Sequence, residues 1–176
     1  MGTLKNNELI MKSSKEFPCS YIDGRSERRV FVSIPKNNIG NQVISELTKK
    51  GFRRNYNHMY IPSCKSCNSC ISSRINISHF VFSKSNKRNL KNNRDLFFVE
   101  NKMFTEKRFK LFQKYCEIRH ANGQMKNMTE IEFINFFHRA ANKTKIYDLI
   151  DINRKLYGSI LIDVVEDGYS AVYSFF

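Results

Sequence analysis

The chain has 176 residues, which is enough for one domain of ordinary size or for two small ones. Hydrophobic residues make up 41% of it, with fifteen Phe, so a buried core is expected and disorder over the whole chain is not. Thirty Lys and Arg oppose 16 Asp and Glu, and the net charge of +14 predicts a polyanionic partner, either nucleic acid or a membrane surface. No apolar run approaches the ~18 residues of a spanning helix, and the N-terminus lacks the apolar centre of a signal peptide. An intracellular, cytoplasmic protein without a membrane segment is therefore predicted.

The first half of the chain predicts short strands and one helix. Extended segments are predicted at 8–12, 29–33, 52–60 and 73–77. Between them, Val43, Ile44 and Leu47 recur at helical spacing and predict a helix over 40–50. Gly51 follows as the C-terminal cap of that helix.

The second half predicts helices followed by strands. The helical patterns cover 84–94, 104–119 and 129–141, and the apolar or alternating runs at 145–152, 157–165 and 169–176 predict strands. Glu166, Asp167 and Gly168 separate the last two runs and indicate a hairpin turn. From this change of pattern we predict two domains, residues 1–95 and 96–176.

Four cysteines give a strong chemical signal: Cys19, Cys64, Cys67 and Cys70. The last three form a Cys-x2-Cys-x2-Cys run, a spacing at which thiolates can surround one zinc ion or one iron–sulfur cluster. Cys19 is then the predicted fourth ligand, because three thiolates leave one position open. Loop thiols without a metal are the alternative. Cys116 lies in a helical pattern and is predicted to be a buried thiol of the core.

A basic stripe follows the cysteine run. Its cations recur every three or four residues and so share one side of the predicted helix: Lys84, Lys87, Arg88, Lys91 and Arg94. Such a stripe predicts salt-dependent contacts with nucleic-acid phosphates. A solvated helix face without a partner is the alternative.

Several short segments, in this order and at these spacings, resemble one protein family. They are Pro-Cys-Ser-Tyr at 18–21 with Arg25, Gly-Phe-Arg-Arg at 51–54, Tyr-Ile-Pro at 60–62 before the cysteine run, Arg-Ile-Asn-Ile at 74–77, Phe-Ser-Lys-Ser at 82–85 with Arg88, Asn-Arg-Asp-Leu at 93–96, Tyr115 with Arg119 and His120, Gly123 with Met125, and Asp163 with the run from 167 to 176. The family is that of the aminoacyl-tRNA–protein transferases. The branch that the chain resembles is the bacterial aspartate/glutamate leucyltransferases, which are related to arginyl-tRNA–protein transferases.

The resemblance implies an enzyme that takes an aminoacyl group from aminoacyl-tRNA. It joins that group to proteins with an N-terminal Asp or Glu, which marks them for degradation as N-degrons. The implied fold class is α+β: an N-terminal cysteine-bearing domain, then a Gcn5-related N-acetyltransferase-like domain with a mixed sheet and flanking helices. The transfer requires no cofactor, so zinc or an iron–sulfur cluster on the cysteines would be an addition to it. The sequence predicts no oligomeric state.

The resemblance also implies functional roles for individual side chains. Residues predicted to bind tRNA or the acceptor are Arg25, Arg53, Arg54 and Arg74, together with the basic stripe. Asp163 is predicted to accept the proton of the attacking amine, and Tyr173 to orient the aminoacyl group. His120 is a second predicted proton acceptor, with a helix-terminal cation as its alternative. Tyr21, Tyr56 and Tyr60 are predicted to stack on the unpaired tRNA end, unless they belong to the core.

The sequence departs from the family in two places. The eukaryotic branch has a Cys-x-x-Cys near its start where this chain has Cys19 alone, which favours leucine over arginine as the donor group. Family members also continue beyond the strand that ends at Phe176, so a C-terminally truncated acyltransferase-like domain is expected. The alternatives are an arginyltransferase, a non-catalytic tRNA-binding fragment, an RNA-binding module built on a cysteine knuckle, and a split or decayed gene product.

Overall fold

The computed structural model describes residues 9–35, 39–121, 123–138 and 143–176, with only the backbone of Gln124. The chain divides into two compact units, unit 1 (residues 1–73) and unit 2 (residues 74–176). A domain boundary after residue 95 stays a prediction. Within the described ranges, no helix is both long enough and apolar enough to cross a membrane.

Unit 1 is built on an antiparallel four-stranded sheet. In chain order its elements are β1 (Met11–Ser13), β2 (Phe17–Pro18), β3 (Ser26–Glu27), β4 (Arg29–Ser33), α1 (Gly40–Lys49), β5 (Arg53–Asn55) and β6 (His58–Pro62). The order across the sheet is β1-β4-β6-β5, and β2 pairs with β3 in a separate two-stranded hairpin. β4 and β6 pair from Arg29 opposite Pro62 to Ser33 opposite His58, and they form the centre of the sheet.

The two faces of this sheet have different environments, because successive side chains of a strand point to opposite faces. The buried apolar side chains of unit 1 are Val32, Ile34, Ile44, Leu47 and Met59. Arg29 and Phe31 alternate with Val32 along β4, lie on the other face and remain partly exposed. Gly51 follows α1 with φ of +87°, a conformation that side chains with a Cβ rarely adopt, so it ends the helix as predicted.

Unit 2 combines a second antiparallel sheet with three helices. Its elements are α2 (Lys84–Asn92), β7 (Phe97–Glu100), α3 (Glu106–Arg119), α4 (Glu130–Phe137), β8 (Thr144–Ile150), β9 (Leu156–Val165) and β10 (Gly168–Phe175), with short 3₁₀ turns at Ile77–His79 and Gln124–Asn127. The order across the sheet is β10-β9-β8-β7. The two-residue connection between β9 and β10 is the hairpin that the sequence predicts.

An aromatic cluster forms the core of unit 2. Phe112 of α3, Phe133 and Phe137 of α4, and Phe175 of β10 are all buried. The rings of Phe133 and Phe137 stack at 4.4 Å, and Phe112 meets Phe175 edge-on at 5.5 Å. Each buried ring contributes about 1.5–3 kcal/mol by leaving water, so this cluster attaches both helices to the sheet. Cys116 is buried beside it, which confirms the predicted core thiol.

The observed elements correct some of the expectations. All strand pairs in the described ranges are antiparallel, so the expected mixed sheet is not observed. The segment 73–77, predicted to be extended, pairs with no described strand, whereas β7 was not predicted. Helix 129–141 is confirmed up to Phe137, and its last three predicted residues lie outside the described ranges, as does residue 8 of the first predicted strand.

Candidate functional site

The exposed face of the unit 1 sheet holds a pocket of about 350 Å³. We call it the arginine pocket; its lining residues are Ser14, Phe17, Arg29, Phe31, Ser33, His58 and Tyr60. The strand pairing explains this grouping, because Phe31 lies opposite Tyr60 and Ser33 lies opposite His58. Residues two apart on β4 and β6 therefore meet on one face, while Val32 and Met59 between them are buried on the other.

Arg29 is the charged centre of this pocket. Its guanidinium lies 4.7 Å from the ring centre of Tyr60 and 5.0 Å from that of Phe17, within the range of cation–π contacts. Its Nε donates a hydrogen bond to the buried carboxylate of Glu27, and its backbone N–H donates to Ser14 Oγ at 2.9 Å. Within the described ranges, Nη1 and Nη2 of Arg29 donate to no protein atom. A half-buried guanidinium with two unused nitrogens can bind an anion.

His58 forms part of the same wall. Its ring meets that of Phe31 edge-on at 6.2 Å. Burial, with repulsion from the Arg29 cation, lowers the pKa of His58 below its usual value of 6.5, so the ring is neutral at pH 7. Glu27 is 3% exposed, and its Oε2 has no hydrogen-bond donor among the described residues.

The four cysteines predicted as metal ligands do not form a ligand set. Cys64 Sγ lies 3.9 Å from the Arg28 carbonyl oxygen, and the Cys67 thiol donates to Ser69 Oγ at 3.4 Å. Among the residues that the structure describes, no three His, Cys, Asp or Glu side chains are placed to hold one metal ion. The spacing of the run permits a shared ion but does not impose it, and Cys19, Cys64, Cys67 and Cys70 are described as free thiols. The predicted zinc or cluster site is therefore not supported.

Cys67 has a distinct electrostatic setting within the cysteine run. Hydrogen bonds with Ser69 lower the pKa of Cys67, and the nearby Arg25 guanidinium adds to the effect. Arg25, one of the predicted binding residues, thus lies beside the cysteine run in unit 1.

Four cations of the basic stripe lie on α2 as predicted, whereas the helix ends at Asn92 and Arg94 lies two residues beyond it. The helix begins with a capping box, in which Ser83 Oγ accepts from Asn86 N at 3.1 Å and Asn86 Oδ1 accepts from Ser83 N at 3.0 Å. All five cations are exposed: Lys84, Lys87, Arg88, Lys91 and Arg94. None of them forms an ion pair with an acidic side chain of the described ranges. Their charges are therefore available to a polyanion.

A second basic surface of unit 2, which the sequence did not suggest, lies between α3 and the turn before β9. Its cations are Lys107, Lys110, Lys114, Arg154 and Lys155, and they line a groove of about 550 Å³. We call it the α3 groove. The helical spacing of the three lysines was a detectable signal. Lys110 also pairs with Glu106 at 2.7 Å, so its charge is partly compensated.

The remaining predicted arginines differ in exposure. Arg53 is partly exposed at the start of β5, and Arg74 is exposed. Arg54 is 8% exposed, and its Nη1 donates to the Tyr56 carbonyl oxygen at 3.1 Å. Arg54 therefore stabilises the β5–β6 turn, where Tyr56 has a positive φ of 49°.

The predicted catalytic residues are all in unit 2. Asp163 is 1% exposed and accepts a hydrogen bond from Thr144 Oγ1 at 3.1 Å. The Tyr173 hydroxyl is buried within the aromatic cluster, where burial together with the Cys116 thiol raises the pKa of Tyr173 above its usual value. His120 is exposed after the last residue of α3, and its ring lies 5.5 Å from that of Tyr115. Their roles stay predictions.

Unit 2 contains a buried ion pair that was not predicted from the sequence. Arg108 is fully buried and binds Asp148 through two hydrogen bonds, Nε to Oδ1 at 2.8 Å and Nη2 to Oδ2 at 2.6 Å. Its other donors reach the carbonyl oxygens of Met103 at 2.7 Å and Asn101 at 3.0 Å. The available signal was a charged residue inside an apolar pattern on each partner: Arg108 precedes Phe109, and Asp148 interrupts an apolar strand.

Two further groups complete this network. Ser159 Oγ donates to Asp148 Oδ1 at 2.5 Å, and Asn101 Nδ2 donates to Oδ2 at 2.9 Å. Burial alone would raise the pKa of Asp148, but the hydrogen bonds and charge of Arg108 hold it below its usual value. The network therefore connects α3 to the neighbouring strands β8 and β9 and stabilises their packing.

Comparison with known proteins identifies two consecutive family models along the chain. The model described as "Arginine-tRNA-protein transferase, N terminus" matches residues 17–88, and the one described as "Arginine-tRNA-protein transferase, C terminus" matches residues 107–176. The pair occurs in the expected order and covers parts of both units.

Curated relatives give the same result. An aspartate/glutamate leucyltransferase of Saccharophagus degradans is 34% identical over 171 residues, which is 97% of this chain and 72% of the relative. A protein of the same name from Hahella chejuensis is 35% identical, over 96% of this chain and 71% of its own length. Another from Dinoroseobacter shibae is 37% identical, over 90% of this chain and 59% of its own length. The family resemblance in the sequence is thus confirmed, and the chain belongs to the aminoacyl-tRNA–protein transferase family.

Proposed function

We propose that this chain transfers leucine from leucyl-tRNA to the α-amino group of proteins that begin with Asp or Glu. One observation carries the proposal: a single chain matches both halves of the transferase family, and it is 34% identical along 97% of its length to an aspartate/glutamate leucyltransferase. Leucine in this position marks the acceptor for degradation. The cytoplasm is the proposed compartment, because charged tRNA is used there.

The reaction is an aminolysis of an ester that is already activated. The neutral α-amine attacks the carbonyl carbon of the aminoacyl ester, a C–N bond forms, and the C–O bond to the tRNA ribose breaks. The ribose oxygen takes up one proton as it leaves, and the amine nitrogen releases one proton as the amide forms. This transfer needs no cofactor and no covalent nucleophile, so its acceleration comes from holding two substrates in reacting geometry and from managing one proton.

The α2 helix supports a tRNA-binding role for unit 2. Four exposed cations share one side of α2 and Arg94 follows just after the helix, and none of the five is neutralised by an acidic partner in the described ranges. Neutralising tRNA phosphates with such cations releases counterions and strengthens binding at low salt. Arg74 of the same unit is exposed enough to add to this contact, and Arg53 of unit 1 is exposed enough for a separate contact with tRNA. Arg54 is held inside the β5–β6 turn, so we assign it a structural part.

Proton transfer is proposed for His120, with the buried Asp163 and Tyr173 as positioning groups. Of these three, His120 presents its ring to solvent, where an incoming amine can reach it. Asp163 and the Tyr173 hydroxyl lie below the surface of the β9–β10 hairpin, so they would act by positioning the strands around the substrates. A Gcn5-related acyltransferase-like fold for unit 2 is part of the same proposal.

Two observations favour alternatives. The matching family models are described as those of arginine-tRNA-protein transferases, which keeps arginine as a candidate donor. The chain spans 58–72% of the length of the first three relatives, so a tRNA-binding piece of a transferase is the second candidate function.

A transfer assay on the 176-residue chain tests the proposal. Radiolabelled leucyl-tRNA and arginyl-tRNA are offered separately to peptides that begin with Glu, Asp or Gln and are otherwise identical. We expect leucine on the Glu and Asp peptides and none on the Gln peptide. Arginine on the acidic peptides would identify the other donor, and a folded chain that binds tRNA without any transfer would favour the binding piece.

A further inference from the structure

We propose that the arginine pocket of unit 1 binds the side-chain carboxylate of the acceptor's N-terminal Asp or Glu, with Arg29 as the residue that recognises it. This inference rests on the proposed function, since it names the subsite for one of the two substrates. The observations that carry it are the unused nitrogens of Arg29, the aromatic walls around them and the size of the pocket.

The geometry of Arg29 suits a carboxylate. Its Nε is occupied by Glu27, and its ring contacts with Phe17 and Tyr60 hold the guanidinium plane in place. The nitrogens that remain, Nη1 and Nη2, form the end of the fork and can each donate to one oxygen of a carboxylate. Because the side chain is already ordered by these contacts, little further conformational entropy is lost on binding.

The surroundings favour a small acid over nucleic acid. The Glu27 carboxylate offsets the charge of Arg29, and His58 is neutral at pH 7, so the pocket lacks the excess positive charge typical of phosphate-backbone surfaces. Its volume of about 350 Å³ suits one amino-acid residue. The rings of Phe17, Phe31 and Tyr60 line the pocket with apolar surface, and a hydrogen-bonded charge pair beside such surface is screened less than one in bulk water.

The same geometry explains discrimination against neutral analogues. The side-chain amide of Gln or Asn would place an NH₂ group against one guanidinium nitrogen, so two donors would face each other without an acceptor. A site built to bind a charged acceptor group loses that interaction with the amide and leaves its own donor unpaired. Recognition of Glu over Gln is therefore the expected property of this pocket.

Equilibrium binding of peptides to the 176-residue chain, without tRNA, tests the inference. Two peptides that differ only in an N-terminal Glu or Gln, each with a fluorophore at the C-terminus, are titrated with wild-type protein, Arg29→Gln, Arg29→Lys and Lys50→Gln. Lys50 is an exposed cation of unit 1 that directly follows α1 and does not line the pocket, so Lys50→Gln is a matched loss of charge. Thermal unfolding of each variant verifies its fold, and Arg29→Lys retains the cation where Arg29→Gln does not.

We expect the wild-type chain to bind the Glu peptide about tenfold or more tightly than the Gln peptide, as for loss of a hydrogen bond to a charged group. Arg29→Gln should remove this preference, Arg29→Lys should retain a small part of it, and Lys50→Gln should leave it unchanged. The NMR signals of the His58 ring should shift with the Glu peptide and not with the Gln peptide.

Three results would overturn the inference. The first is a wild-type chain that binds the Glu and Gln peptides equally, and the second is a Glu preference that survives in folded Arg29→Gln. The third is a loss of leucyl-tRNA binding in Arg29→Gln while the peptide preference stays intact, which would assign the pocket to tRNA. The proposed function fails separately. If leucine is never transferred although Glu preference depends on Arg29, the pocket assignment stands and the transferase activity of this chain does not.

Discussion

Arg88 on α2 and Arg108 on α3 show two opposite uses of the same side chain in unit 2. Arg88 is exposed on a helix without buried residues and pairs with no acidic side chain of the described ranges. Arg108 is fully buried, and each of its three nitrogens donates to an acceptor in Asp148, Met103 or Asn101. The first has charge available to a ligand, and the second has none.

This difference in burial distinguishes residues that bind a ligand from residues that stabilise the fold. An exposed cation is fully hydrated and adds little to stability, but it can exchange water and counterions for a phosphate. A buried cation must be neutralised and hydrogen-bonded inside the protein, and breaking one partner leaves an uncompensated charge. We therefore expect α2 substitutions to change tRNA affinity and Arg108–Asp148 substitutions to change stability.

The largest effect is expected for Asp148→Asn. This change retains the shape of the side chain but leaves the buried Arg108 guanidinium without a counter-charge, so the free energy of unfolding should fall by about 3–5 kcal/mol. Urea denaturation monitored by circular dichroism measures it. A loss below about 1 kcal/mol would show that water enters the site and that Arg108 is not confined as described.

A smaller effect, on binding alone, is expected for replacing Lys84, Lys87 and Arg88 together with Gln. Loss of three phosphate contacts should weaken tRNA binding about tenfold or more and reduce the slope of log affinity against log salt by about two to three. Filter binding at several salt concentrations measures both.

The α3 groove supplies the matched comparison for this variant. Replacing Lys107, Lys110 and Lys114 with Gln removes the same net charge from another helix of unit 2. We expect a smaller change in the salt slope from it. An equal or larger change would assign the principal tRNA contact to the α3 groove or to net charge in general.

A pH effect of about 1 kcal/mol or less is expected from His138, which adjoins the buried pair. Its Nδ1 donates to the Lys102 carbonyl oxygen at 2.7 Å, so the neutral ring presents Nε2 as an acceptor toward Arg108 Nη1 at 3.5 Å. Burial, with the charge of Arg108, lowers the pKa of His138 below its usual value of 6.5. The unfolded chain therefore binds this proton more readily, and stability should fall as the pH decreases below about 6.5.

Denaturation at pH 5.0 to 8.0 tests this dependence, with His138→Gln as the comparison. The variant should show a flatter profile than wild type. His58 contributes in the same direction from unit 1, so a residual slope in the variant is expected. Identical slopes in the two proteins would mean that His138 does not sense Arg108 as the geometry indicates.

The smallest effect is expected for Glu106→Gln, which breaks the exposed i,i+4 pair with Lys110. Both side chains are well hydrated, so we expect no measurable change in the free energy of unfolding. The contrast with Asp148→Asn is informative, because each change removes one carboxylate that pairs with a cation of α3. A clear loss of stability in Glu106→Gln would contradict the division between exposed and buried charges.

The sequence predicted those features that depend on local pattern. The helical repeat of Val43, Ile44 and Leu47 located α1, and the alternating runs around Gly168 located the last hairpin. The basic stripe could be read directly, because residues three or four apart share a helix side. Ordered motifs along the chain also identified the family.

Features that depend on contacts between distant parts of the chain could not be predicted from local sequence pattern. The Arg108–Asp148 pair joins residues 40 positions apart, and the arginine pocket exists because β4 and β6 pair in one register. β7 was missed since its exposed residues show no alternation, and it forms only by pairing with β8. The cysteine spacing was compatible with a metal, but spacing does not determine where four thiols point.

The rate of leucine transfer at varied leucyl-tRNA concentration, for wild type and for the α2 triple variant, tests the central claim most directly. A Glu-initiated peptide serves as the acceptor. We predict that the wild-type chain transfers leucine and that the variant has a KM raised about tenfold with little change in kcat, because α2 binds tRNA and does not touch the reacting atoms. A folded wild-type chain that transfers no leucine, or a variant with unchanged KM, would contradict the account.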